Sequence, residues 1–420
     1  MEQVGGKDGA ELTELKALLG MVGQRRYVLG FLTQKEVGKY FIEDLSARLP
    51  LDISAAETSD GLFTENSIVV AEGELTPGGH FRAAALGLPP AEPREDSLSA
   101  LQGLDFFGGK PFGSGPSQYR SHRQLWETEF QDDRVVFLSD VELDRPAVIE
   151  RLHVVFKGYS SLDSPPSTFV LMGNFQSYDA NTPSASFSAI RENFALLARI
   201  ISKYPTLRSN QCQFLLVPGP GDLGPGQNIL PRPPLPTSVA QPLLEVLPDN
   251  VKLCSNPCRI RHGPAELVLF RCNLQRKMRN LCILDAQSQH TEGQSSQSRS
   301  TIFDQLCATL LQESHLCPLP LEYQTVAWEW DHSLWLYPLP HALVVADSDL
   351  ESSRFTFDTT SCINPGSIAQ GSFGAWQPVS NEMELCDVEN GAEEESEDAE
   401  EESEDEGGEG EGQEKGDERE

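Results

Sequence analysis

Three short loops each follow an apolar run and carry the residues on which chemistry could rest. VVFLS leads into Asp140-Val141-Glu142, FVLM into Gly173-Asn174, and FLLVP into Gly219-Pro220-Gly221-Asp222. Loops of this kind at one end of a sheet can hold two cations side by side, one activating a water and both stabilising charge on a phosphate. That chemistry needs a bridging carboxylate and several imidazoles. Here Asn174 stands where the bridging carboxylate belongs and Glu142 where an imidazole belongs, while Pro220 and Gly221 offer no side-chain ligand. A neutral amide cannot replace a carboxylate between two dications. Asp140 and Asp222 remain, but two separated carboxylates do not make a binuclear centre. The expectation is a scaffold that has kept its strands and lost its ligands, with no catalytic, cofactor or metal residues, and a platform for partners.

Other motifs resolve the same way. GPGDLG (Gly219 to Gly224) fits G-x-G-x-x-G after a strand, but a dinucleotide site needs a helix to open at once. The chain runs on instead as PGQNILPRPPLP, which forbids one. Cys254-x3-Cys258-x3-His262 has three potential zinc ligands, whereas a structural zinc wants four, and Cys272 sits on what reads as a separate element. These cysteines read as small core residues. Pro231 to Pro236 is either a polyproline ligand or, the plainer reading, a rigid loop packed on its own domain. Trp328, Trp330, Trp335 and Tyr337 alternate in AWEWDHSLWLYPLP as strand-core residues would, with one or two exposed members able to anchor a partner.

Elements must position these loops. The short apolar segments RRYVLGFLT, GKYFIED, RLPLDIS, SIVVAEGEL and HFRAAALGL lie between turn residues such as Asp60, Gly61 and Pro77-Gly78-Gly79. Five strands so close together predict a small closed barrel of the OB type over 24–88. Residues 1–23 precede it, with a helix expected from Glu11 to Met21 that places Leu12, Leu15 and Leu19 on one face. A connector over 89–133 includes FFGG (Phe106 to Gly109). From 134 to 380 strands and helices alternate: Arg134 to Ser139, a helix capped by Asp144 with Pro146 in its first turn, Thr168 to Met172, a helix capped by Ser186 and ended by Pro205, then Gln213 to Val217. That order implies a parallel sheet covered by helices, with ligands at the strand C-termini. Beyond Leu247, strands are expected at Glu266 to Phe270, Leu334 to Tyr337 and Leu343 to Ala346, a helix at Thr301 to Gln312, and a Gln/Ser-rich loop at Gln287 to Ser300.

The net charge of −32 is uneven. Between Glu393 and Glu420 stand 17 acidic and 2 basic residues, leaving −17 for the rest. An acidic body disfavours a strong phosphate-binding surface. The tail over 381–420 is expected to be disordered and solvated, and Ser403 within SEDE suits an acid-directed kinase. Nine scattered cysteines, a polar and Gly-rich Met1 to Glu11, and no run of 18 apolar residues fit free thiols inside a cell and no membrane span.

Together these segments resemble the second (B) subunits of eukaryotic DNA polymerase epsilon, within the B-subunit family of polymerases alpha, delta and epsilon. The match runs from about residue 25 to 367 through YVLGFLTQKEVGKYFIED, GLFTEN with VVAEGEL, LDFFGG, VVFLSDVELDRPAVIERL, LMGNFQS, LLVPGP, ILPRPPLP, SNPCRIRHG, LCPLPLEY, LYPLPHALVVAD and CINPGS. The resemblance implies an OB domain packed on a calcineurin-like phosphoesterase α/β domain, a mixed α and β fold with an acidic tail beyond it. Active relatives carry Asp-x-His, Gly-Asp and Gly-Asn-His-Asp at the three loops, so Glu142, Asn174, Pro220 and Gly221 put this chain on the inactive side. It further implies a non-catalytic accessory subunit in nuclear DNA replication. Its partners would be the cysteine-rich C-terminal region of the catalytic subunit and components of the replicative helicase, with DNA contacted only weakly or within the complex. Relatives usually carry an N-terminal helical domain, where about 24 residues precede the barrel here, and neither the acidic tail nor SDLESSRF is a family feature.

Two other functions compete. A working metallophosphoesterase or nuclease would need a shifted ligand set from Asp140, Glu142, Asp222 and some histidines. A nucleic-acid module would need a basic barrel face, but Arg25, Arg26, Lys35, Lys39 and Arg82 are interleaved with Glu36, Glu43, Asp44 and Asp52.

Overall fold

The computed structural model describes residues 11–101, 104, 116–177, 187–209, 211–224, 229–285 and 300–388, with the backbone alone for 116–119. Its first strands are β1 (Arg25–Glu36), β2 (Lys39–Glu43), β3 (Arg48–Asp52), β4 (Glu57–Thr58), β5 (Leu62–Thr64), β6 (Ile68–Leu75) and β7 (Phe81–Gly87). They pair in the order β3-β2-β1-β6-β7-β4, and β3 also pairs with β7, which closes the ring. Alternation sets the inside: Val28, Leu32, Ile42, Leu51, Val69 and Phe81 fill the interior. All five apolar segments read from the sequence are strands here. Gly73 sits at an irregular step in the β6–β7 register, where a Cβ would run into the Arg82 carbonyl. The expected helix from Glu11 to Met21 is only a 3-10 turn, Ala17–Gly20. Leu15 and Leu18 are buried against the barrel while Leu12 and Leu19 are exposed, so the spacing that is buried is three residues rather than the longer stripe.

The connector contains two helices that the sequence reading missed, α1 (Arg94–Ala100) and α2 (Pro116–Glu129). FFGG and Ser186 lie outside the described residues, as does the Gln/Ser-rich stretch apart from Ser300. Next come β8 (Val135–Leu138), α3 (Pro146–Ser160), β9 (Thr168–Met172), α4 (Phe187–Ser202), β10 (Gln213–Val217), β11 (Ile229–Leu230), α5 (Thr237–Val246) and β12 (Val251–Leu253). Pro146 does open α3, but Asp144 does not cap it. Its carboxylate instead accepts from the Ser177 backbone N–H and hydroxyl across the loop.

The remaining elements are β13 (Cys258–His262), β14 (Ala265–Arg271), α6 (Gln275–Leu281), β15 (Cys282–Asp285), α7 (Ile302–Gln312), β16 (Thr325–Val326), β17 (Ala342–Ala346), β18 (Ser353–Phe357), β19 (Thr360–Asn364), β20 (Ser372–Gln377) and β21 (Glu382–Asp387). One sheet runs β12-β10-β9-β8-β20-β21 and another β13-β14-β17-β19-β18. They face each other: Val135, Phe137, Val170 and Leu215 of the first meet Leu267, Leu269, Val344 and Ile363 of the second. The alternate residues of the first sheet, Val136, Leu138, Phe169 and Phe214, pack under α3, α4 and α5. Those of the second, Val268, Phe270, Leu343 and Val345, pack with α6 and α7. The result is a four-layer sandwich rather than a single covered sheet, because both strand faces are apolar and each needs a partner.

Two expectations fail here. Leu334 to Tyr337 is not a strand: a 3-10 helix spans Trp328–Leu334, and Trp335 makes only an isolated bridge to His315. The boundary at 380/381 is also wrong. Residues 382–387 form β21, paired in register with β20; Met383 is buried and Glu384 and Cys386 are half-buried, while Glu382, Leu385 and Asp387 are exposed. Barrel and sandwich are joined by β5 pairing with β15, by Leu284 in the barrel interior, and by Thr309 Oγ1 accepting from the Leu62 N–H at 2.9 Å. No helix among the described residues is long and apolar enough to cross a membrane.

Candidate functional site

The carboxyl ends of β8, β9, β10, β14 and β17 converge, and the three sequence loops meet there. Asp140 follows β8, Gly173-Asn174 follows β9, and Gly219 to Asp222 follows β10. The sequence reading did not weigh Arg271, the last residue of β14, which stands at the centre. It is 1% exposed and its Nη2 donates to Asp140 Oδ1 at 2.6 Å. Its Nε donates to the Gly173 carbonyl at 2.7 Å, and its Nη1 to Asn273 Oδ1 at 2.6 Å and to the Ala346 carbonyl at 3.2 Å. One guanidinium thus ties four strand ends together. The faint local mark is LVLFR, an apolar run that ends on a charge.

Asp140, Asn174 and Asp222 each have a protein partner. Asp222 accepts the Phe175 N–H at 2.8 Å and the Gly219 N–H at 2.7 Å, and burial pushes its carboxyl up to about 6 against the lowering effect of those two amides. Asn174 Oδ1 accepts from the Gly221 N–H at 2.7 Å. Gly173 and Gly219 lie so close that a Cβ on Gly173 would run into Asp222 Oδ2. Buried Glu142 faces Arg145 at 2.5 Å, and burial pushes its carboxyl up to about 7. Asn256, at the edge of the site, donates to the carbonyls of Pro218 and Arg271 and accepts the Arg271 N–H.

These residues do not fit a pair of dications. Asp140 is already neutralised by a guanidinium that any metal beside it would repel. Asn174 and Asp222 are turned onto backbone amides, and among the described residues no group of three or more His, Cys, Asp or Glu side chains is placed to hold a metal. The cysteine motif separates likewise. Cys258 and His262 are opposite ends of β13, about 13 Å apart by strand rise, and His262 pairs with Asp133 at 2.8 Å and accepts from Trp126 Nε1 at 3.2 Å.

Beside Arg271 opens a cavity of about 260 Å³, walled by Asn174, Gly221, Arg232, Arg271, Lys277 and Gln324 among others. Arg232, from PRPPLP, is buried and donates to the Asp222 carbonyl at 2.6 Å; with buried Leu235 it holds that segment to its own domain. Trp328, Trp330 and Trp335 are all exposed, at 74%, 58% and 50%, three where one or two were expected and none in a strand core.

A family model for the B-subunit of DNA polymerase alpha/epsilon matches residues 135–355, and one described as DNA polymerase epsilon subunit 2-like, OB-fold domain, matches residues 2–90. The chain is 39% identical over 376 residues to the DNA polymerase epsilon B-subunit of Arabidopsis thaliana, covering 89% of this chain and 68% of that one. It is 37% identical over 392 residues to DNA polymerase epsilon subunit 2 of Mus musculus, covering 91% and 69%, and 37% identical over 369 residues to that of Homo sapiens, covering 86% and 65%. The chain therefore spans about two thirds of the length of these relatives.

Proposed function

The chain belongs to the DNA polymerase alpha/epsilon B-subunit family, and from that membership we propose that it is a non-catalytic accessory subunit of DNA polymerase epsilon in nuclear DNA replication. The observation that carries the non-catalytic part is Arg271, whose guanidinium takes the place at the strand ends where phosphoester chemistry would need metal. The four-layer sandwich supports reading residues 134 to at least Asp387 as a calcineurin-like phosphoesterase fold that no longer hydrolyses. Barrel and sandwich, locked through β5 and β15, offer one rigid body to a partner. That partner is the catalytic subunit, through its cysteine-rich C-terminal region, with helicase components reached through the assembled enzyme. DNA is contacted within that assembly, since the chain before Glu393 carries −17.

Co-expression with that C-terminal region is expected to give a complex that survives gel filtration at moderate salt, burying on the order of 2,000 Å² or more. Separate elution of two folded chains at micromolar concentration overturns the assignment. The isolated chain is expected to leave DNA and a chromogenic phosphodiester intact with manganese present. Cleavage abolished by Asp140→Ala would establish a working metal centre instead.

A further inference from the structure

We propose that the cavity beside Arg271 binds a small phosphate-type anion without metal, a regulatory or stabilising site that rests on reading these strand ends as non-hydrolytic. Three cations wall one space of about 260 Å³: Arg232, Arg271 and Lys277. Two are committed to the protein, Arg271 to Asp140 and Arg232 to the Asp222 carbonyl. Lys277 differs. Its ammonium donates to the amide oxygen of Gln324 at 2.6 Å, and no carboxylate among the described residues lies within ion-pair distance of it. Gln324 is 2% exposed, so a buried neutral group holds a charged one at the cavity wall in a chain of net charge −32. Asn174 gives its Oδ1 to Gly221, which leaves its amide NH2 as the group it brings to the same wall. The Asp222 oxygens each accept a backbone N–H, from Phe175 and Gly219, and Asp222 is not among the residues that line the cavity. Beside apolar Pro220, Leu230 and Cys272, the charged groups that line the cavity are all cations, and the Asn273 and Gln324 amide oxygens already accept from two of them, the surroundings an oxyanion needs.

Size and field choose the anion. The volume falls below the roughly 300–1,000 Å³ of pockets that take drug-sized ligands, so the site suits inorganic phosphate or a small phosphomonoester. A nucleic-acid strand would have to lie along a chain that carries −17 before Glu393, which repels a polyanion far more than a single small ion drawn to local cations.

The test is calorimetric titration of the full chain with inorganic phosphate and, separately, deoxyadenosine monophosphate, at low salt with EDTA present. Saturable binding is expected, weakened about tenfold or more by Lys277→Gln and kept by Lys277→Arg. Lys277 is partly exposed, so both variants are expected to fold, and their thermal midpoints check it. No saturation by roughly 10 mM phosphate, or equal affinity in folded Lys277→Gln, overturns the proposal. A 5′-phosphorylated oligodeoxynucleotide that binds more tightly than phosphate overturns the choice of a small anion. Binding that appears only with manganese removes both this site and the non-catalytic reading. Absent phosphate binding together with an intact polymerase complex removes this site alone.

Discussion

At the strand ends of the sandwich a buried guanidinium meets a buried carboxylate, and its other donors reach the carbonyls of Gly173 and Ala346. At the seam between barrel and sandwich, Glu313 at the end of α7 receives the Ile68 N–H at 3.0 Å, and no cation lies within ion-pair distance among the described residues. Both groups bridge separate parts of the chain. They differ in what keeps them there. Arg271 is charged and held by a counter-charge, while burial pushes Glu313 up to about 8, so that near neutrality it stays largely a neutral acid. A paired charge can stand firmly at any pH in the ordinary range; an unpaired one makes its joint depend on pH.

The largest effect is expected at the paired site. Arg271→Leu strands Asp140, itself 5% exposed, and takes from the Gly173 carbonyl its side-chain donor, while the Ala346 carbonyl keeps the Cys272 N–H and Asn273 Oδ1 the Ser348 N–H. Breaking one partner out of a buried pair costs about 3–5 kcal/mol, a fall in thermal midpoint on the order of 10 °C. The double variant Arg271→Leu with Asp140→Leu is expected to recover part of that loss, since the stranded charge goes with it. A cost under about 1 kcal/mol for Arg271→Leu in urea unfolding would mean that the guanidinium does not hold the strand ends, and the contrast with Glu313 would collapse.

A second test asks whether acidity alone decides what stays outside the fold. Strand β21 carries Glu382, Glu384 and Asp387 yet buries Met383, whose carbonyl accepts from Arg354 at 3.0 Å. Truncation after Ser380 is expected to cost about 2–4 kcal/mol from Met383 burial and the lost pairing with β20. Truncation after Val388 is expected to change stability by no more than about 0.5 kcal/mol, because the removed composition offers nothing to a core. Equal midpoints for the two truncations would show that the strand adds nothing.

These cases mark what the sequence disclosed. The barrel strands and β8, β9 and β10 were legible because period-two alternation or a short apolar run is a local signal. Asp140, Asn174 and Asp222 were legible because each follows such a run. Arg271 was not, since its role comes from Gly173 and Ala346, distant in sequence, and a terminal arginine reads as an ordinary strand end. Strand β21 was hidden because glutamates at alternate positions look like the start of the acidic run, although they are what an edge strand shows to water. The tryptophans misled for the opposite reason: alternation at Trp328 and Trp330 imitated a strand, while the chain there turns as a 3-10 helix.

The smallest expected effect sharpens the comparison most. A carboxyl raised from about 4.5 in the unfolded chain to about 8 in the folded one binds its proton more tightly when folded. Its contribution is fully present below about pH 4.5 and is lost as pH rises through about 8, so the seam weakens toward alkaline pH. Glu313→Gln keeps an oxygen for the Ile68 N–H and never ionises. The variant is expected to match the parent at pH 5 and to exceed it at pH 8.5 by on the order of 1–2 kcal/mol, discounted because the side chain is partly exposed. Asp222 and Glu142, raised to about 6 and about 7, titrate in both proteins and cancel from the difference. Urea unfolding at the two pH values reads it directly. A gap that is the same at both, or larger at pH 5, would show that Glu313 is ionised in the folded chain, so that the seam, like the strand ends, holds a stabilised charge.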